Sequence, residues 1–415
     1  MLFSSIQFLT VFLPAFLIVY LLSLKLFKDR MIVPNTILFL GSLVFCYYQI
    51  SWFLLIFLGL IFVSYLLSLL MDKCRKKKVL CTLFFSLSII INLGFLVGYK
   101  LNGGESLIGV GFMTLYLISY CADVYTKKMP AEKNIIKMMS FSLLFTKLVE
   151  GPIARYKNAK MSLDKRKVTI TGFDRGLKLF VFGLAMKVCL ADKLSTLWIE
   201  LQKIGYESIS TPLAWLGAIT YSLQIYYDFR GYSLMAMGLG EIIGIRMPSN
   251  FDEPYASKSI TEFYRRWHMS LGNWFRDYIY IPLGGNRKGK FRSFINIIVV
   301  WLFTSFWHGL SLHYFIWGMS LCVFIIIEKL FLKKILDKTK VFSHLYIWFI
   351  IPLTWVVFAI EEIGNLKIYF ARLFPFMFNI ELVNVQTADF MRNLTLYLPL
   401  LVVSVSKSPP YTSLG

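Results

Sequence analysis

The sequence predicts an all-α, polytopic integral membrane protein: about ten membrane-crossing helices plus partial or re-entrant ones, in one domain over residues 1–415. Three observations carry this. Of the 415 residues, 57% are hydrophobic and 16% charged, against roughly 45–50% and about 25% in soluble domains. Apolar runs close to the roughly 20 residues that cross a bilayer core of about 30 Å recur from end to end. The basic excess, 44 Lys and Arg against 23 Asp and Glu, sits in loops between these runs, the pattern of cytoplasmic loops rather than of nucleic-acid binding. A soluble enzyme, a disordered chain and a disulfide-stapled secreted module are excluded. The six Cys read as small core residues, with no disulfide framework and no zinc site.

The run at 5–24 is the first span. Neither a basic stretch before it nor a small-residue cleavage site after it supports a removed signal peptide, so its N-terminus is expected outside. Runs follow at 33–49, 52–71, 79–99 and 106–125. The loops at 25–30, 72–78 and 126–133 are basic, while 48–51 and 100–105 are nearly neutral, which gives these five spans consistent sidedness. The run at 135–149 is short and basic on both flanks, so it reads as a re-entrant or broken element ended by Gly151-Pro152. The runs at 176–191 and 213–229 read as an out-and-back pair, with a short run at 233–245. Residues 262–281 are amphipathic. The runs at 294–307 and 314–332 form another pair, 345–360 exits toward Glu361 and Glu362, and 367–380 and 394–405 are weaker. The polar tail 406–415 reads as natural, truncated or non-native, and the sequence leaves these open.

Polar residues in apolar context are costly and mark function. His308 ends the run that closes Phe306-Trp307-His308-Gly309. It is either a helix-end imidazole bonded to a carbonyl or a general base, since an imidazole of pKa about 6.5 takes a proton near neutral pH. Around His268, a 3.6-residue period puts Tyr264, Trp267, Leu271, Trp274 and Tyr278 on one face, with Arg265, Arg266, Ser270, Asn273 and Asp277 on others. That is an interfacial helix or, since an interfacial helix does not itself need His, Asn and Asp, the lining of an internal passage. Asp228 and Arg230 form an ion pair at a boundary or a cavity wall. His313 and His344 are assigned interfacial or structural roles. No metal, dinucleotide, P-loop or nucleophile-elbow motif is present.

These stretches resemble the membrane-bound O-acyltransferase family, in its bacterial branch acting on cell-surface polymers such as alginate, peptidoglycan and teichoic acid. The opening Met1-Leu-Phe-Ser-Ser-Ile-Gln-Phe resembles the family's start. Gly151-Pro152-Ile-Ala-Arg155-Tyr156, Tyr227-Asp228-Phe-Arg-Gly-Tyr232-Ser233, Asn250-Phe-Asp-Glu-Pro-Tyr255, the stretch from Arg265 to Pro282, and Phe306-Trp307-His308-Gly309 then follow in the family's order. Tyr280-Ile-Pro-Leu-Gly-Gly-Asn-Arg-Lys-Gly289 is closer to the acetylating members. The chain departs from the pattern at Arg230 (usually Ser), Leu234 (usually Asp) and Leu321 (often His), which bears on the acceptor more than on the reaction class.

The resemblance implies a helix ring around a thinned centre and a passage reachable from both faces. It implies His308 and His268 as catalytic. The passage or substrate-binding residues are then Trp307, Trp267, Asn273, Arg276, Asp277, Tyr232, Asp228 and Asn250. The expected reaction is acyl transfer, acetyl first, from a thioester donor (acetyl-CoA or an acyl carrier protein) at the basic cytoplasmic face. The acceptor is a hydroxyl of an extracytoplasmic polysaccharide or partner protein. No bound cofactor or metal, membrane lipid around the spans, no nucleic acid, and a bacterial cytoplasmic membrane complete the expectation. D-alanyl transfer toward teichoic acid, a transporter and a non-catalytic scaffold are the alternatives.

Overall fold

The computed structural model describes the chain except residues 52, 103–108, 149, 380–386 and 406–415, and describes 49, 387–389, 404 and 405 by backbone alone. Half of the loop at 100–105, and the whole of the tail 406–415, therefore lie outside the described residues.

Every regular element among the described residues is helical. Among the described residues, six helices are long and apolar enough to cross a membrane: Phe8–Leu26, Phe53–Lys73, Lys78–Leu101, Gly289–His308, Leu312–Lys338 and Lys340–Ala359. Shorter apolar helices cover Ile32–Tyr48, Val110–Tyr125 and Phe390–Val403. The protein is thus a multi-pass helical membrane protein.

Four expectations about elements change. The runs at 213–229 and 233–245 are one helix, Thr211–Ile243, of 33 residues. The polar cluster Asp228-Phe-Arg230-Gly looked like a break, but its charges find partners elsewhere and the backbone continues. The run at 176–191 is the middle of a longer series, Ile170–Ala185, a π-helical stretch Met186–Ala191 and Asp192–Ile204. The run at 367–380 folds as Ile363–Leu373 and Pro375–Phe378, and 11 residues at about 1.5 Å each cannot cross. The amphipathic stretch 262–281 is not one helix but Ile260–Arg266 and Met269–Phe275, running on into a π turn. As expected, 135–149 is broken, into Ile135–Ser142 and Phe145–Leu148, with Asn134 capping the first through Ile136 and Lys137 N–H.

The chain divides into two units, residues 1–184 with 232–249, and residues 185–231 with 250–415. In the first, Phe3, Phe8, Phe12, Phe16, Phe45 and Phe145 form an aromatic core. The Val110–Tyr125 helix packs on Phe53–Lys73 and Lys78–Leu101 and is buried on nearly every face. Arg166 is buried and donates to Tyr20 Oη and Asn35 Oδ1, so its charge is solvated by side chains of two separate helices. Gly176 and Gly238 let two helices touch: a Cβ on Gly238 would stand 2.4 Å from the Gly176 carbonyl oxygen. Small residues permit such close approach in membrane proteins.

In the second unit, Gly289–His308 packs on Leu312–Ile327, which packs on Lys340–Ala359. The short Ile260–Arg266 helix lies against the latter two. This arrangement delivers both candidate histidines.

Candidate active site

The site begins with a seven-residue helix that could not stand alone. Ile260–Arg266 is capped by Ser259, whose Oγ accepts from Glu262 N at 3.1 Å, while Glu262 reaches back to Lys258 N at 3.0 Å and pairs with Arg266 at 2.8 Å. This is a close variant of the reciprocal capping box. The buried Glu328 carboxylate, from a neighbouring helix, accepts from Ile260 N at 2.6 Å and from Thr261 N at 2.9 Å and Thr261 Oγ1 at 2.6 Å. An anion over a helix N-terminus satisfies donors that have no intrahelical partner.

The helix ends at Arg266, and His268, which precedes the next helix, has φ 44° and ψ 51°, a left-handed backbone rare for a residue with a Cβ. The interruption is held by the irregular segment 250–252. Asp252 N donates to Arg266 O at 3.0 Å, and Met269 N donates to Asn250 O at 2.9 Å. Asn250, itself buried, accepts through Oδ1 from Ser270 Oγ at 2.6 Å and from Ser270 N at 3.4 Å. A strap of chain thus replaces the helical hydrogen bonds that the turn gives up.

The left-handed turn points a buried imidazole at aromatic rings. His268 meets Phe229 edge-on at 4.6 Å and lies 6.1 Å from Trp307. Burial first, and then the charge of His308, lower the His268 pKa to about 3, so it is a neutral imidazole. His308 is the last residue of Gly289–His308 and is half-buried. Its ring lies 4.8 Å from Trp307, 5.0 Å from Trp317, 5.2 Å from Phe358 and 6.1 Å from Tyr314. The two imidazoles therefore share Trp307 as a neighbour.

The other expected residues are distributed differently. Trp267 is a buried packing ring, against Tyr226, Phe251, Phe263 and Trp355. Asn273 and Arg276 are on the exposed face, and Arg276 pairs with Asp277 at 2.7 Å. Asp228 and Arg230 do not pair with each other, because residues two apart on a helix point apart. Asp228 instead meets Lys187 at 2.9 Å, which also holds Asp192 at 2.8 Å, and Arg230 meets Glu253 at 2.9 Å. Tyr232 lies in the first unit, stacked on Phe3 at 4.7 Å. His313 is buried against Tyr314, and His344 is half-buried in Lys340–Ala359. Leu321 is fully buried.

Sequence reasoning missed Trp317, Tyr314, Phe358, Glu328, Glu253 and Lys187. The aromatic residues carry no local mark that separates them from ordinary span residues. Glu328 had one, a lone carboxylate after sixteen residues of apolar helix. Among the described residues, no group of three His, Cys, Asp or Glu side chains could hold a metal.

Comparison with known proteins places this geometry in context. The profile of the membrane-bound O-acyltransferase family matches residues 123–360, which include His268 and His308. The chain is 34% identical to the probable alginate O-acetylase AlgI of Pseudomonas aeruginosa, over 91% of its own length and 75% of that protein. It is 28% identical to the peptidoglycan O-acetyltransferase of Helicobacter pylori, over 88% and 78%. It is also 28% identical to the teichoic acid D-alanyltransferase of Bacillus subtilis, over 52% and 56%.

Proposed function

The chain belongs to the membrane-bound O-acyltransferase family and is an acyltransferase, and from that premise we propose that it moves an acetyl group from a cytoplasmic thioester to a hydroxyl of an extracytoplasmic cell-envelope polysaccharide or partner protein. The observation that carries the residue assignment is the pair of imidazoles sharing Trp307, one at a helix end and one on a left-handed turn. His308 takes the proton of the acceptor hydroxyl as its oxygen attacks the thioester carbonyl carbon. The carbon–sulfur bond then breaks, and the imidazolium returns its proton to the departing thiolate. Neutral His268 donates an N–H to the oxyanion, a contribution typically of about 2.7–4 kcal/mol.

The thioester carries the acyl group, so the reaction needs no resident cofactor or metal. Acetyl-CoA and an acyl carrier protein are both anionic donors that the basic loops attract. The membrane is the bacterial cytoplasmic membrane, which puts donor and acceptor on opposite faces. D-alanyl transfer from a carrier protein is the second reading. It is supported by likeness to a teichoic acid D-alanyltransferase, and ranks second because that likeness spans about half the chain, against 91% for the alginate relative.

The test is acyl transfer by purified protein in lipid nanodiscs, supplied with acetyl-CoA, acetylated carrier or D-alanyl carrier and scored by mass spectrometry of envelope saccharides. His308→Ala should lower kcat by about 10²–10⁴-fold with a normal elution profile. Full transfer by that variant rejects the role of His308, and turnover of the D-alanyl carrier alone selects the second reading.

A further inference from the structure

The Arg230 side chain is almost completely buried, 3% exposed. A buried charge persists only when it is paired and hydrogen-bonded. Arg230 donates through Nη1 to the Tyr226 hydroxyl and through Nη2 to Glu253 Oε1 at 2.9 Å. The Tyr226 ring in turn packs on Phe251 at 5.7 Å and Trp267 at 5.9 Å.

Glu253 is left-handed as well, with φ 45°. It immediately follows the 250–252 strap whose hydrogen bonds hold His268 at φ 44°. Two residues with side chains thus occupy a backbone region that L-residues seldom adopt, and such residues persist only where the surroundings over-determine them. At His268 the strap does this. At Glu253 it is the ion pair.

We infer that Arg230 is a positioning residue for acyl transfer: its pairing with Glu253 fixes the 250–253 strap, and the strap fixes the left-handed turn that aims His268 at Trp307. Its catalytic consequence rests on the acyl-transfer reading above. Arg230 acts through the chain it clasps.

The experiment compares full-length wild-type protein with Arg230→Met, Glu253→Gln, the double variant and Arg230→Lys, in nanodiscs. Each of Arg230→Met and Glu253→Gln should lower kcat at least about tenfold, since a misplacement of about 1 Å can cost 10²-fold, with KM for the thioester within twofold. The double variant should be no worse than the poorer single one, and Arg230→Lys should keep most of the activity. Glu253 is 45% exposed, so Glu253→Gln folds even if Arg230→Met does not. With only four histidines in the chain, the His268 imidazole signal in histidine-labelled NMR should move in Glu253→Gln while the unfolding midpoint does not. An unmoved His268 signal, unchanged kcat in Glu253→Gln, or losses that multiply in the double variant overturns the inference. Absence of transfer by the wild-type protein counts instead against the acyl-transfer reading, and the NMR arm still decides the role of Arg230.

Discussion

The left-handed backbone at His268 separates two substitutions that usually behave alike. His268→Ala and His268→Gly both remove the imidazole and its contacts with Phe229 and Trp307, so both should lose catalysis to the same extent. They differ only in the Cβ. Holding a Cβ at φ 44° costs roughly 1–2 kcal/mol, while glycine gives back roughly 0.5–1 kcal/mol through its freer unfolded chain. The net is about 1 kcal/mol in favour of glycine, roughly a factor of five in the folding equilibrium. In a chain this long that moves a melting temperature by only about 1 °C, so equilibrium unfolding in mixed SDS micelles is the better assay. A thiol-reactive dye reports it directly, because Cys46, Cys81, Cys121 and Cys322 are buried until the fold opens. His268→Gly should unfold at higher SDS than His268→Ala. If alanine is as stable as glycine, or more so, residue 268 is not held left-handed and the strap argument fails.

Glu328→Ala strands the buried N–H of Ile260 and should destabilise by roughly 1–3 kcal/mol, the cost of one buried unsatisfied group; the same SDS titration measures it, and Glu328→Gln should lose less. Gly238→Ala drives a methyl to 2.4 Å from the Gly176 carbonyl oxygen and should cost about 1–3 kcal/mol or abolish folding, read as loss of the monodisperse peak on size-exclusion chromatography. The depressed His268 pKa fixes a pH dependence: between the ordinary value of 6.5 and the folded value of about 3, the unfolded chain binds a proton that the folded one refuses. Stability should therefore fall as pH drops below 6.5, by at most about 1.4 kcal/mol per unit, and His268→Gln should flatten that limb.

The helix end at His308 was legible along the chain, as was the break in 135–149, while the interruption at His268 was not. His308 could be placed from one dimension because an apolar run, a Trp and a Gly bracket it. The break at His268 could not, because the hydrogen bonds that allow it come from Asn250 and Asp252, outside the 3.6-residue pattern that suggested one helix. The reverse error occurred at Asp228-Phe-Arg230-Gly. A charged cluster in an apolar run argues for a break, yet Lys187 and Glu253 neutralise the charges from elsewhere in the sequence. Local pattern reports what a backbone would do alone, and at both places distant partners decide. The motifs marked residues for the candidate site, but not that Trp267 packs as core while Asn273 and Arg276 face outward.

The enclosure of Val110–Tyr125 sets where this protein will accept change. Lys78–Leu101 turns many of its greasy side chains outward, including Val79, Leu83 and Ile90, and there one aliphatic group substitutes for another because lipid conforms to either. Val110–Tyr125 has no such latitude, since protein atoms surround almost every position, down to Asp123 between Lys128 and Lys157. Tags, crosslinkers and spectroscopic labels therefore belong on the former helix. The latter behaves like the centre of a water-soluble domain that happens to sit inside a bilayer.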